Sequence, residues 1–341
     1  MNINNAIVGN APITLTGSIV IDVITGPGGA DVLNGGAGND TLTGNGGVDI
    51  LSGGEGNDWL EGELGNSINP LAGVAGNDII NGENGADTVL GGAGDDNVTG
   101  VAGQDVLVGE TGNDTISGGN EFDAVDGRQG NDMLMGDDGA DIIFGDGFYL
   151  TFGFGNDTLQ GGVDDDIMMG EAGEPGANGG DDQIMGEDGN DLLDGGGGND
   201  VIFGAAGNDI IDGDNGNDYI VGGVGTEVML GSNAVDFGGA TTGSDLFVYQ
   251  AMTDQGDSIY GFDMRAGLND GLDFRPLFDS LGYSGTTPRA DGFLYVFQNT
   301  LNTDVYVDAN GAANGINLDT RMVTLVGVTA TSLTDEFFLF Q

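Results

Sequence analysis

Gly35-Gly36-Ala37-Gly38-Asn39-Asp40-Thr41-Leu42-Thr43 decides the fold, because the chain keeps returning to its pattern. Written G-G-x-G-x-D-x-U-x, with U a large aliphatic residue, the nonapeptide recurs in 21 units between Gly26 and Leu230. The sixth position is Asp in 19 of them, the exceptions being Ser67 and Glu227. A short fixed period of this kind marks a solenoid. The glycines permit positive φ in a tight turn. The first six residues therefore read as a turn and the last three as a short strand. Its eighth residue points inward while the seventh and ninth point out. Inward positions include Leu33, Leu42, Leu51, Leu60, Ile80, Val89, Leu107, Ile116, Leu134, Ile143, Leu193, Ile202 and Ile211. Two units make one turn, so alternate units stack into two parallel sheets.

Composition narrows the function. The chain has 341 residues, 71 of them Gly, with 56 acidic against five basic residues and a formal charge of -51. Nucleic acid and anionic membranes both require a basic surface, which five arginines cannot supply. There is no His or Cys, which excludes imidazole-based nucleophiles, zinc-protease helices, disulfides and thiolate metal sites. No apolar run approaches the ~18 residues of a membrane span. Residues 1–26 carry no basic residue and no continuous apolar core, unlike a cleaved signal peptide. Such negative charge suits disorder or a cationic partner. The regular Val/Ile/Leu pattern argues against disorder, and the periodic acidic groups point to bound cations.

The repeat resembles that of the RTX family, secreted proteins whose glycine-rich nonapeptides fold as a parallel β-roll. The resemblance implies an all-β calcium-binding solenoid with Ca²⁺ between stacked loops, held by Asp carboxylates and backbone carbonyls. Hard oxygen ligands favour Ca²⁺ over softer metals. Carried onto this chain, units two apart give two columns. One holds Asp40, Asp58, Asp78, Asp96, Asp114, Asp132, Asp157, Asp182, Asp200 and Asp218. The other holds Asp31, Asp49, Asp87, Asp105, Asp123, Asp141, Asp166, Asp191 and Asp209, interrupted at Ser67 and ending weakly at Glu227. Glu121 and Asp164 replace the fourth-position glycine and are expected to disturb adjoining sites. About 13–16 ions result, and sixteen would reduce the formal charge from -51 to about -19. Turn formation alone would not place Asp at one fixed position so consistently.

Three units carry insertions: Gly62 to Ala72, with Pro70; Gly145 to Gln160; and Gly170 to Met185. The second contains Phe148, Tyr149, Phe152 and Phe154, a candidate ligand patch or a cover for the thin core. Outward Ile142, Phe144, Ile167 and Met169 would form an apolar strip, available to a partner or covered by the same chain.

Three segments follow: a 1–25 arm with cap strands, the 26–230 roll, and a β-rich 231–341 segment. The last resembles the C-terminal target region of type I secreted RTX proteins, ending Asp335-Glu336-Phe337-Phe338-Leu339-Phe340. The resemblance implies export by a type I apparatus and folding outside the cell, where millimolar Ca²⁺ can fill weak sites. With few residues ahead of the repeats, the expectation is a non-enzymatic structural protein of a surface layer, matrix or filament. It would polymerise through the N-terminal arm or the apolar strip. An adhesin or carbohydrate-binding protein using the aromatic insertion is the alternative.

Overall fold

The computed structural model describes residues 2–3, 12–62, 76–147, 155–171, 179–230, 245–250, 257–260, 264–265, 268–281, 294–299, 301–307, 320–326, 328 and 338–339. The chain forms two compact units, Met1–Gly173 and Glu174–Gln341.

In the first unit, alternate repeats enter alternate sheets. One sheet stacks Val23–Thr25, Thr41–Thr43, Trp59–Glu61, Thr88–Ala93, Val106–Thr111, Ala124–Gln129, Ile142–Asp146 and Ile167–Glu171, each parallel to the next. The other stacks Thr14–Thr16, Val32–Ala37, Ile50–Glu55, Ile79–Asn84, Asn97–Ala102, Thr115–Asn120, Met133–Asp138 and Thr158–Val163. Eighth-position side chains from both sheets form the core: Leu33, Leu42, Leu51, Leu60, Ile80, Val89, Leu107, Ile116, Leu134 and Ile143 are each at most 1% exposed. The seventh position faces outward as expected, leaving Val32, Ile50 and Ile79 side by side and 39–50% exposed.

Strands are longer than the three residues read from the repeat. Asn97–Ala102, for example, pairs at Asn97, Val98 and Thr99, skips its glycine, and pairs again at Val101 and Ala102. Turns stacked in register also align their loops, so loop amides find partners one turn away, as in Gly94 N–H to Thr111 O at 2.9 Å. The second repeat position must then take positive φ. Glycine often supplies it, but Glu83, Val101, Glu110, Arg128, Asp137, Glu187 and Ala205 adopt φ of 74–88° there. For β-branched Val101 this is a strained backbone held by its neighbours. Glu121 and Asp164 also take φ of 80° at the fourth position. Strand pairing and the Asp ladder run past both positions.

The arm ahead of the repeats uses its strands within the chain's own sheets. Val23–Thr25 pairs with Thr41–Thr43, and Thr14–Thr16 with Val32–Asn34. Gly17-Ser18-Ile19-Val20-Ile21-Asp22-Val23-Ile24-Thr25 is a further, degenerate unit with Gly, Asp and Ile at the first, sixth and eighth positions.

In the second unit, one sheet stacks Leu192–Asp194, Ile210–Asp212, Val228–Leu230 and Asp257–Tyr260. Thr320–Leu325 joins in parallel, then Asn302–Val307 and Leu294–Asn299 turn antiparallel. The other sheet stacks Gln183–Asp188, Val201–Ala206, Tyr219–Val224, Leu246–Val248, Gly271–Asp273 and Phe338–Leu339. Parallel stacking therefore continues past Leu230, where glycine periodicity stops. Larger side chains then fill the end of the core: Phe274 stacks on Tyr249 at 5.0 Å and on Phe338 at 6.3 Å.

Candidate metal centre

Each sixth-position Asp is buried, at most 4% exposed, where an unpaired carboxylate costs several kcal/mol. One oxygen is satisfied by the fold. Asp Oδ1 accepts the backbone N–H of the Asp one turn earlier, as from Asp96 to Asp114 at 2.8 Å and from Asp114 to Asp132 at 2.7 Å. The other oxygen is left over. Oδ2 of Asp31, Asp40, Asp58, Asp87, Asp96, Asp105, Asp114, Asp123, Asp132, Asp141 and Asp218 is buried without a hydrogen-bond partner.

First-position glycines show what surrounds these oxygens. A Cβ on Gly91 would lie 2.6 Å from Asp96 Oδ2 and 2.9 Å from the Gly109 carbonyl oxygen of the next turn. On Gly127 the distances are 2.4 Å to Asp132 Oδ2 and 2.9 Å to the Gly145 oxygen. Carboxylate and carbonyl oxygens thus converge on a spot kept clear by glycine. Among the described residues no three acidic side chains form a ready-made metal cluster, so coordination here must combine one or two carboxylates with main-chain oxygens. An all-oxygen donor set of this kind fits Ca²⁺.

The columns differ from those read by counting units. Asp49 N–H bonds Asp78 and Asp58 N–H bonds Asp87, each at 2.6 Å. The first unit therefore holds Asp31-Asp49-Asp78-Asp96-Asp114-Asp132-Asp157 and Asp22-Asp40-Asp58-Asp87-Asp105-Asp123-Asp141-Asp166. The two columns thus pass directly from Asp49 to Asp78 and from Asp58 to Asp87. Ser67 itself lies outside the described residues. In the second unit, Asp182-Asp200-Asp218 continues through Asp245 and Asp270. Asp191 pairs with Asp209, and Glu227 N–H reaches Asp257 at 3.3 Å. Asp22, Asp245, Asp257 and Asp270 were missed because glycines were used to find units. A bare D-x-U-x, as in Asp257-Ser258-Ile259-Tyr260, is the remaining signal.

The column ends differently at the N-terminus. Asp22 Oδ2 accepts Ser18 N–H at 2.6 Å and the Ser18 hydroxyl at 2.8 Å, so protein donors occupy this oxygen. Ile13 stands at the sixth position above Asp31 and offers only its N–H. Fifth-position residues form a second, exposed ladder of opposite sense. Asn131 N–H bonds Asn113 Oδ1 and Asn113 N–H bonds Asp95 Oδ1, both at 2.9 Å.

Of the other sequence candidates, Ile142 lies beside Ile167 and Phe144 beside Met169, in register as expected but half-buried. Phe148, Tyr149, Phe152 and Phe154 lie outside the described residues.

Burial raises the column carboxyls. It pushes Asp96 up to about 8, Asp87, Asp114, Asp123 and Asp132 to about 7, and Asp141 to about 6. Folded values above the unfolded one mean that the calcium-free fold binds more protons than the unfolded chain. Its stability is then greatest below about pH 4 and is lost as pH rises through about 6–8. In EDTA, β-structure measured by circular dichroism is expected to increase from pH 8 to pH 5. A signal independent of pH would count against these carboxyls as the obstacle to apo folding.

A family model of the RTX calcium-binding nonapeptide repeat matches in overlapping stretches that together span 16–148, 153–174 and 176–237. No curated protein matches the chain in sequence. Among solved structures, the solution structure of the AlgE6R3 subunit from the Azotobacter vinelandii mannuronan C5-epimerase matches at 20% identity. That match covers 57% of this chain and 83% of the other, with a TM-score of 0.23. The repeat is a calcium-binding one, found typically in secreted proteins and generally non-enzymatic. No helix among the described residues is long and apolar enough to cross a membrane. With the repeat model matching well over half its length, the chain belongs to the RTX calcium-binding nonapeptide repeat proteins.

Proposed function

We propose that this is a secreted structural protein whose roll folds on Ca²⁺ outside the cell and then assembles into a surface layer, matrix or filament. The carrying observation is the set of buried carboxylate oxygens without protein donors. Each stacked pair, such as Asp96 and Asp114, would hold an ion between its loops with first-position carbonyl oxygens completing the shell. The sixth-position aspartates named above are the proposed ligands, extended by Asp245, Asp257 and Asp270. Chain self-repulsion at low Ca²⁺ keeps the protein unfolded for passage through a type I apparatus.

Assembly is supported by the seventh-position row Val32, Ile50 and Ile79, three adjacent apolar side chains exposed on one sheet. Sedimentation of the full chain at millimolar Ca²⁺ is expected to show large species that dissolve in EDTA. Ile50→Lys should shift them to monomer without changing circular dichroism. A parent chain that stays strictly monomeric would remove the assembly reading and leave calcium-dependent folding untouched.

A further inference from the structure

We propose that Asn45 is a modification site of the folded roll, deamidated to aspartate and isoaspartate by attack of the Gly46 amide nitrogen. Asn-Gly pairs are open to this reaction because glycine puts no side chain in the path of its own nitrogen. Five such pairs lie among the described residues: Asn34-Gly35, Asn45-Gly46, Asn81-Gly82, Asn84-Gly85 and Asn215-Gly216. Four of them are held by the stack. Gly35 and Gly82 lie within the paired strands Val32–Ala37 and Ile79–Asn84. Gly85 N–H donates to Ala102 O at 2.8 Å. Asn215 donates its N–H to Gly196 O at 2.8 Å, and its own carbonyl accepts Gly198 N–H at 2.9 Å.

Asn45-Gly46 is the exception, and Pro27 is the reason. Stacking joins the third-position N–H of one turn to the second-position carbonyl of the turn before, as from Asn215 to Gly196, where Gly196 has φ of +86°. Pro27 is the second-position residue one turn before Asn45. Its ring fixes φ at about -65°, so it cannot adopt the conformation of Gly196. The Pro27 carbonyl accepts Gly29 N–H at 2.9 Å instead. Among the described residues, Gly46 N–H is then left without an acceptor. Strand Thr41–Thr43 accordingly stops after three residues, where Thr88–Ala93 in the same sheet runs to six. Asn45 is half-buried with φ of 72°, and its Nδ2 donates to Gly26 O at 2.5 Å.

The reaction needs only water and hydroxide. Gly46 nitrogen gives up its proton to hydroxide and bonds to Asn45 Cγ. The Cγ–Nδ2 bond breaks, and Nδ2 takes a proton from water and leaves as ammonia. Water then opens the five-membered succinimide at either carbonyl, giving aspartate or isoaspartate. An amide already in a hydrogen bond must first be released by local opening, whereas that of Gly46 need not be. The product exchanges the Nδ2 donor to Gly26 O for a carboxylate, so a cross-turn bond is lost near the start of the Asp31-Asp49 column.

The test keeps the full chain at saturating Ca²⁺ in warm, mildly alkaline buffer and follows each site by mass spectrometry of peptides released with pepsin at low pH. Asn45 is expected to convert about tenfold faster than Asn34, Asn81 or Asn84, which react only through local opening. Pro27→Gly, which restores the glycine found in other turns, should bring Asn45 down to their rate with unchanged circular dichroism. In urea with EDTA the four rates should converge. Equal rates in the folded parent overturn the proposal. So does an Asn45 lead that survives Pro27→Gly or unfolding, since the loop would then not be its cause. If Pro27→Gly does not fold, the parent in calcium and in urea decides.

Discussion

Chelating calcium is expected to convert the chain from a β-rich compact state to an expanded coil at neutral pH. The reason lies in the thinness of the core. Each turn orders 18 residues, at about 1–2 kcal/mol of backbone entropy apiece, while burying only two large aliphatic side chains such as Leu107 and Ile116. Parallel ladders close the turn on itself but leave an unpartnered, buried carboxylate oxygen at rung after rung. An ion at ten times its Kd contributes about 1.4 kcal/mol. The first unit alone contains thirteen stacked Asp–Asp links, so the transition should be steep in Ca²⁺ concentration. Far-ultraviolet circular dichroism and size-exclusion chromatography across a calcium titration measure it. A native-like spectrum and unchanged elution volume in EDTA at pH 7.5 would sink the argument.

The second large effect is expected from one methyl group. Gly112 has φ of +135°, and a Cβ there would lie 1.8 Å from the Gly94 carbonyl oxygen. Neither side can yield cheaply. Gly94 N–H is bonded to Thr111 O and Gly112 N–H to Gln129 O, so the clash is between two rungs of the same ladder. Backbone strain of about 1–3 kcal/mol and overpacking of similar size add, giving Gly112→Ala a loss of about 3 kcal/mol or more. The urea midpoint at saturating Ca²⁺ should fall sharply, and the calcium midpoint for folding should rise. Ala86, third in its exposed ladder and already an alanine, shows that small side chains are accepted elsewhere in the loop. A Gly112→Ala midpoint within error of the parent would show that the loops can spread apart.

Much of this was legible before any coordinates. Every inward position read from the repeat, from Leu33 to Ile211, is buried, because the alternation of a strand puts the eighth residue on the face opposite its seventh- and ninth-position neighbours. The sixth-position aspartates were equally legible, since they recur at the one place where a turn approaches its neighbour. Strand length was not. Pairing at Val101 and Ala102 depends on a neighbouring turn at the same height, a property of the stack and not of the nonapeptide.

The sequence by itself determined the roll, its inner residues and the ligand chemistry. Only the tertiary structure decided which aspartates face one another. Counting units put Ser67 in a column and made Asp58 the neighbour of Asp78. The hydrogen-bond ladder instead joins Asp49 to Asp78 and Asp58 to Asp87. A ladder can pass over such a long sequence separation because loop closure grows costly only slowly, about 0.6 kcal/mol per doubling of length. Placing Ser67 on a rung would forfeit a carboxylate ligand and its backbone bond. The same rule carried the columns beyond the glycines to Asp245, Asp257 and Asp270, since stacking requires an acceptor for the next N–H and not a repeat.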